Sequence, residues 1–95
     1  MVVLLPAEEV IESWNRESEI EELELDDVLS KKFGCKTSIE RAEEYGERAW
    51  RFKISDEISL IAWDVGNGWW VPLYFEIRSD IVEEAVKKVL LVNLI

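Results

Sequence analysis

Residues 58–77 read ISLIAWDVGNGWWVPLYFEI, and this stretch decides the fold. Asn67-Gly68 is a favoured two-residue pair for a type I′ turn, because both central positions of that turn need positive φ. The flanks are rich in β-branched and aromatic residues, so the stretch reads as a β-hairpin. An uninterrupted ladder from that turn sets Gly66 opposite Trp69. It then sets Val65 opposite Trp70, Trp63 opposite Pro72, Ile61 opposite Tyr74 and Ser59 opposite Glu76 on one face. Asp64 with Val71, Ala62 with Leu73, Leu60 with Phe75 and Ile58 with Ile77 make the other face. Both faces are then apolar, one aromatic and one aliphatic, and such a strand pair has to be covered on both sides.

Working upstream, a period of two with Gly-containing breaks runs from residue 36 into the hairpin, which predicts an antiparallel β-meander of three to four strands. Ile39 and Arg41 alternate with polar neighbours ahead of a turn near Tyr45 and Gly46. Trp50, Phe52 and Ile54 then point one way, Arg51 and Lys53 the other, and Ser55-Asp56 turns the chain again. Before the meander, Pro6, Glu8 and Glu9 suit the first turn of a helix. With Val10, Ile11 and Trp14 on one face, the spacing predicts a short helix over 6–17. Residues 18–25 carry a capping box, Ser18 with Glu21, but fit neither helical nor alternating spacing. Asp26 opens a second helix through Val28, Leu29 and Phe33, with Lys31 and Lys32 at its negative end and Gly34 as terminator.

Downstream, Asp80 and Glu83 form a capping box for a C-terminal amphipathic helix. Its stripe is Ile81, Val82, Ala85, Val86, Val89 and Leu90. No Pro-, Gly- or Ser-rich linker divides the chain, so residues 1–95 form a single α+β domain. The C-terminal stripe covers one face of the hairpin, while the N-terminal helices are short and acidic. An aromatic side chain buries about 150–250 Å², so uncovered rings ask for a second copy. The expectation is therefore a homodimer, with strands or tails open to exchange, whose core or interface holds Trp50, Trp63, Trp69, Trp70, Val71, Leu73, Phe75, Val86 and Leu90.

The NGWWVPL stretch at residues 67–73, the acidic helices and the chain length together resemble a small orphan family of uncharacterised archaeal proteins. The resemblance implies an intertwined α+β homodimer over the whole chain and brings no catalytic residue with it.

Composition narrows the chemistry. There are 21 acids, 11 bases and no His, for a net charge of −10. Residues 1–30 hold ten acids and one base, whereas residues 31–53 hold seven bases and four acids. A field of this sign repels phosphate backbones, so nucleic acid is an unfavourable partner. No His and a single cysteine, Cys35, leave no zinc set and no Ser-His or Cys-His nucleophile pair within one chain. Gly66-Asn67-Gly68 precedes a strand, whereas a phosphate cradle needs a helix N-terminus. Neither a cofactor nor a metal is expected, since Glu8 with Glu12 or Asp26 with Asp27 lacks the spacing of a calcium loop. Cys35 suits a reducing compartment and an unreactive thiol. Residues 2–5 are too few for a secretory signal, and no apolar run is long enough for a membrane span, which places the protein in the cytoplasm. A charged fraction of 34% with one Met and no His leans towards a thermophilic source.

Two functional readings follow. The first is a noncatalytic binding module whose acidic surface, Glu8, Glu12, Glu21, Glu22, Asp26 and Asp27, faces a basic protein. An inhibitor, an immunity-like protein or a nucleic-acid mimic would work this way. The alternative is a small-ligand-binding protein or carboxylate-based enzyme using Trp63, Trp70 and Tyr74 with Asp64 or Glu76. Those two acids sit in apolar surroundings, and Arg48, Arg51 or Arg78 across a dimer are their expected partners.

Overall fold

A computed structural model describes residues 2–11, 14, 18–34 and 37–78. They form a largely antiparallel sheet with two short helices, an α+β arrangement. In chain order the elements are β1 (Val2–Pro6), α1 (Ala7–Val10), β2 (Ile20–Glu21), α2 (Glu22–Phe33) and β3 (Ser38–Arg41). A 3₁₀ turn (Glu43–Tyr45), β4 (Ala49–Lys53), β5 (Ile58–Gly66) and β6 (Trp69–Arg78) follow.

The strands lie in the order β1-β6-β5-β4-β3, with β2 also paired to β6. Strands β3 to β6 are the expected meander, and the Ser55 side chain caps the β4–β5 turn by accepting the Ile58 N–H at 3.1 Å. Among the described residues the sheet has six strands rather than three or four because β1 and β2 both add to the free side of β6. Strand β1 runs along Tyr74 to Arg78, and β2 sits opposite Trp69 and Trp70. The apolar run at the N-terminus is a strand because alternate residues face the core, Val3 and Leu5 packing against it.

Of the helix expected over 6–17, the described residues form Ala7–Val10. Ile11 leaves it at φ −123°, yet Ile11 and Trp14 remain buried. Four residues gain little from helical hydrogen bonding, so packing rather than propensity holds this segment. Helix α2 starts at Glu22, four residues before Asp26. Its start is fixed by a remote contact, the Glu22 N–H donating to the Gly68 carbonyl at 2.9 Å, with Glu21 extended beside Trp69. The other end is as expected, with Lys31 and Lys32 in the last turn and Gly34 in the left-handed region at φ 67°.

Leu25 and Leu29, one turn apart, are fully buried and lay α2 on the inner face of the sheet. That face presents Phe52, Leu60, Ala62, Phe75 and Ile77. Phe75 is the pivot: its ring stacks on Trp14 at 6.4 Å and tilts against Phe33 at 5.8 Å.

The hairpin departs from the uninterrupted ladder in its middle. Its base keeps the expected pairs from Ile58 with Ile77 to Ile61 with Tyr74, and its tip keeps Gly66 with Trp69. Between them the register slips by one: Ala62 faces Pro72, Trp63 faces Val71 and Asp64 faces Trp70. Leu73 and Val65 are left over as bulged residues. Pro72 has no N–H to give the ladder, and a bulge beside it is a position that tolerates proline. The gain is burial of Trp70, which turns to the inner face and meets Phe52 edge-on at 4.8 Å. Asn67 and Gly68 both have positive φ, 57° and 79°, as a type I′ turn requires.

The expected C-terminal helix, with Val86 and Leu90, lies outside the described residues, as do Glu12 and Cys35. Phe75→Ala is expected to cost about 3–5 kcal/mol of stability in a urea titration. Trp69→Ala, six residues earlier on the same strand but exposed, is expected to cost less than about 1 kcal/mol.

Candidate functional site

Alternation along the strands places Ala49, Arg51, Ser59, Ile61, Trp63, Tyr74 and Glu76 on the outer face, with Leu4 opposite Glu76 and Val2 opposite Arg78. The centre of this face is dry. Ala42, Ala49 and Ile61 are fully buried, and Tyr45 and Leu73 pack against them. Gly46, at φ 123°, ends the 3₁₀ turn, and a side chain there would lie 3.9 Å from the Trp63 indole nitrogen. The turn over Glu43–Tyr45 therefore folds across the sheet.

Under that turn lies Glu76, 1% exposed. Arg51 grips its carboxylate as a fork, Nε to Oε1 at 2.7 Å and Nη2 to Oε2 at 3.1 Å. The Tyr45 hydroxyl donates to Oε2 at 2.5 Å, and Arg78 Nε lies 3.1 Å from Oε1. Arg51 also meets Glu44, and Glu40 at 3.3 Å. Burial alone would push the Glu76 carboxyl up, but hydrogen bonds from Arg51 and Tyr45 outweigh it and hold the group below the usual carboxylate range. Glu44 is likewise lowered, chiefly by its bond to Arg51. Burial and the Glu76 carboxylate push the Tyr45 phenol up to about 12. Hydrogen bonding to Glu76 raises Arg51 further, so its charge is permanent.

This geometry decides what the cluster can do. A carboxylate filled by two guanidinium groups and a phenol is held ionised and offers no poised proton near neutral pH, which speaks against general acid or base work. The ion pairing expected across a dimer is made within one chain for Glu76. Asp64 turns to its own loop, its Oδ1 accepting the Gly66 N–H at 2.9 Å.

The aromatic trio is split. Trp63 (43% exposed) and Tyr74 (38%) stay on the outer face, while Trp70 (6%) is in the core. Within the expected interface set, Trp70, Val71 and Phe75 are buried inside the chain itself, Trp50 and Leu73 are half-buried, and Trp69 is exposed. Among the acids, Glu21, Glu22 and Asp27 are exposed and Glu8 and Asp26 half-buried, Asp27 pairing with Lys31 at 3.0 Å. Leu23, which with Ile20 and Leu25 fits neither helical nor alternating spacing in the sequence, is 81% exposed between the exposed Glu22 and Glu24. Once α2 begins at Glu22, the helical period assigns Leu25 and Leu29 to the core and leaves Leu23 outward. The signal was present in ELELDDVL, residues 22–29, but needed the right helix start.

Among the described residues, no group of three His, Cys, Asp or Glu side chains could hold a metal ion. Among them, too, no helix is long and apolar enough to cross a membrane. No family model, no curated protein and no solved structure matches the chain.

Glu76→Gln takes from Arg51 its one buried counter-charge, leaving only the exposed carboxylates of Glu44 and Glu40, and is expected to cost about 3 kcal/mol, whereas Tyr45→Phe removes one charge-assisted bond and costs about 1.5–3 kcal/mol. Urea titrations measure both. The lowered carboxyls contribute stability in full above the ordinary carboxylate range, and that contribution is lost as pH falls through their lower folded values. The raised phenol contributes in full below its ordinary value of about 10 and loses its contribution as pH rises through about 12. In stability measured against pH, Glu76→Gln should flatten the acid limb and Tyr45→Phe the alkaline one.

Proposed function

We propose that the chain is a noncatalytic binding module that acts as a homodimer and presents an acidic surface to a basic protein partner. The observation that carries the reading is Leu23, 81% exposed, set among Glu21, Glu22 and Glu24 at the start of α2. This turn is joined to the hairpin tip by the Ile20–Trp70 and Glu21–Trp69 pairs and by the Glu22 to Gly68 hydrogen bond. Trp69 is exposed beside it. Trp69 is of the residue type in which interface energy concentrates, and Leu23 adds apolar area to the same corner. The surrounding carboxylates add charge steering and repel acidic competitors.

The dimer reading rests on the outer face. Val2, Leu4, Trp63 and Tyr74 are all exposed there, around a centre that is already closed. Rings and aliphatic groups in that number suit a partner surface of the same chemistry, and the resemblance to intertwined homodimers points the same way. The alternative of an aromatic pocket worked by Glu76 has less support, since Trp70 faces inward and Glu76 is filled by its partners.

Sedimentation at micromolar concentration is expected to show about twice the 11.1 kDa chain mass. An 11.1 kDa species would remove the dimer. Capture from source lysate is expected to retain a basic protein at low salt and release it at about 0.5 M, where the Debye length is about 4 Å. Leu23→Asp and the triple variant E21K/E22K/E24K should both lose it. Equal retention by the variants would reject the acidic surface.

A further inference from the structure

A second feature lies away from the acidic corner, where β3, β4 and the end of β5 meet. A cleft of about 360 Å³ opens there, with Trp50 and Val65 as its apolar lining and Arg41, Arg48, Glu47 and Asp64 as its charged lining. Its volume lies within the range of small-molecule sites. Arg41 is the cross-strand partner of Trp50, and Arg48 ends the turn that leads into β4. The Asp64 N–H donates to the Arg48 carbonyl at 2.9 Å, which brings β5 alongside.

Arg41 is held ready for a ligand. Its guanidinium carbon lies 4.8 Å from the Trp50 ring centroid, and Nη2 donates to the Glu47 carbonyl at 2.5 Å. Among the described residues neither Arg41 nor Arg48 makes an ion pair. Asp64, one of the two acids lining the cleft, gives an oxygen to the Gly66 N–H. In a chain with 21 acids and 11 bases, two neighbouring guanidinium groups left without a carboxylate form a local exception to the charge pattern.

We propose that this cleft binds a small monocarboxylate with a flat apolar body, its carboxylate on Arg41 and Arg48 and its body against Trp50 and Val65. Guanidinium and carboxylate match as planar forks, which favours a carboxylate over a spherical anion. Single charge matters too. Glu47 and Asp64 in the walls and a net charge of −10 repel a dianion such as phosphate more than a monoanion. The half-buried indole supplies the flat apolar contact. This site is independent of the acidic corner and of dimer formation.

Phenylacetate is the probe, titrated into the ¹⁵N-labelled full chain. Saturable shifts are expected at the Trp50 indole N–H and the Gly66 amide, with a Kd of about 1 mM or below. Phenylacetamide and inorganic phosphate should bind at least about tenfold more weakly, and Arg48→Gln, an exposed substitution that leaves the fold intact, should weaken phenylacetate by a similar factor. Phosphate or benzylamine binding as tightly as phenylacetate would overturn the assignment. So would shifts confined to Trp63 and Trp69, an unchanged Kd in Arg48→Gln, or no saturable shift.

Discussion

Two bulges in the β5–β6 hairpin divide its aromatic side chains between the inside and the outside of the molecule, and the rest of the structure depends on that division. Had the ladder run unbroken from the Asn67-Gly68 turn, Trp63, Trp70 and Tyr74 would share one face. The slip between Ile61 and Gly66 sends Trp70 inward to Phe52 and leaves Trp63 and Tyr74 outward. The inner face then has the bulk to hold Leu25, Leu29 and Trp14, which is how such short helical segments are retained. Because Trp70 points inward, Ile20 opposite it joins the core and Glu21 lies beside Trp69. The placement of the acidic corner follows from the bulges.

The outer face meets the same demand for cover by a different route. Its centre is closed by the 3₁₀ turn over Ala42, Ala49 and Ile61, and the carboxylate within it is matched by Arg51, Tyr45 and Arg78. A buried ion pair adds little net stability compared with an apolar core of equal volume, but losing one partner is costly. Its effect here is positional. Four side chains from β3, the turn and β6, namely Glu40, Glu44, Tyr45 and Arg78, converge on Arg51 and Glu76, so the turn has one well-defined seat on the sheet. This explains why an acid embedded in an apolar hairpin is a structural group and not a proton donor.

Much of this was legible in the residues. Asn67-Gly68 marked the turn, alternation at Trp50, Phe52 and Ile54 marked β4, and Gly34 marked the end of α2. What could not be read depended on contacts distant in sequence. Glu22 begins a helix because Gly68 offers a carbonyl to it, and residues 2–6 form a strand because β6 has a free side. The bulges needed knowledge of which aromatic the core would accept, and alternation alone treats Trp70 and Val71 as interchangeable. The partners of Glu76 were named correctly as arginines, but within the chain rather than across a dimer. Leu23 could be given no face while the helix start stood at Asp26 instead of Glu22.

Both functional readings, the acidic corner and the carboxylate cleft, rest on rigid strand ends and on the division of the aromatics made by the bulges. That division is tested most directly with 5-fluorotryptophan incorporated at all five tryptophans and a soluble gadolinium chelate added during ¹⁹F NMR. At a dilution where the chain is monomeric and its outer face uncovered, Trp63 and Trp69 should broaden strongly, with Trp14 and Trp70 shielded and Trp50 between them. Equal broadening of Trp63 and Trp70 would mean that the two share a face, as an unbroken ladder requires, and would contradict this account.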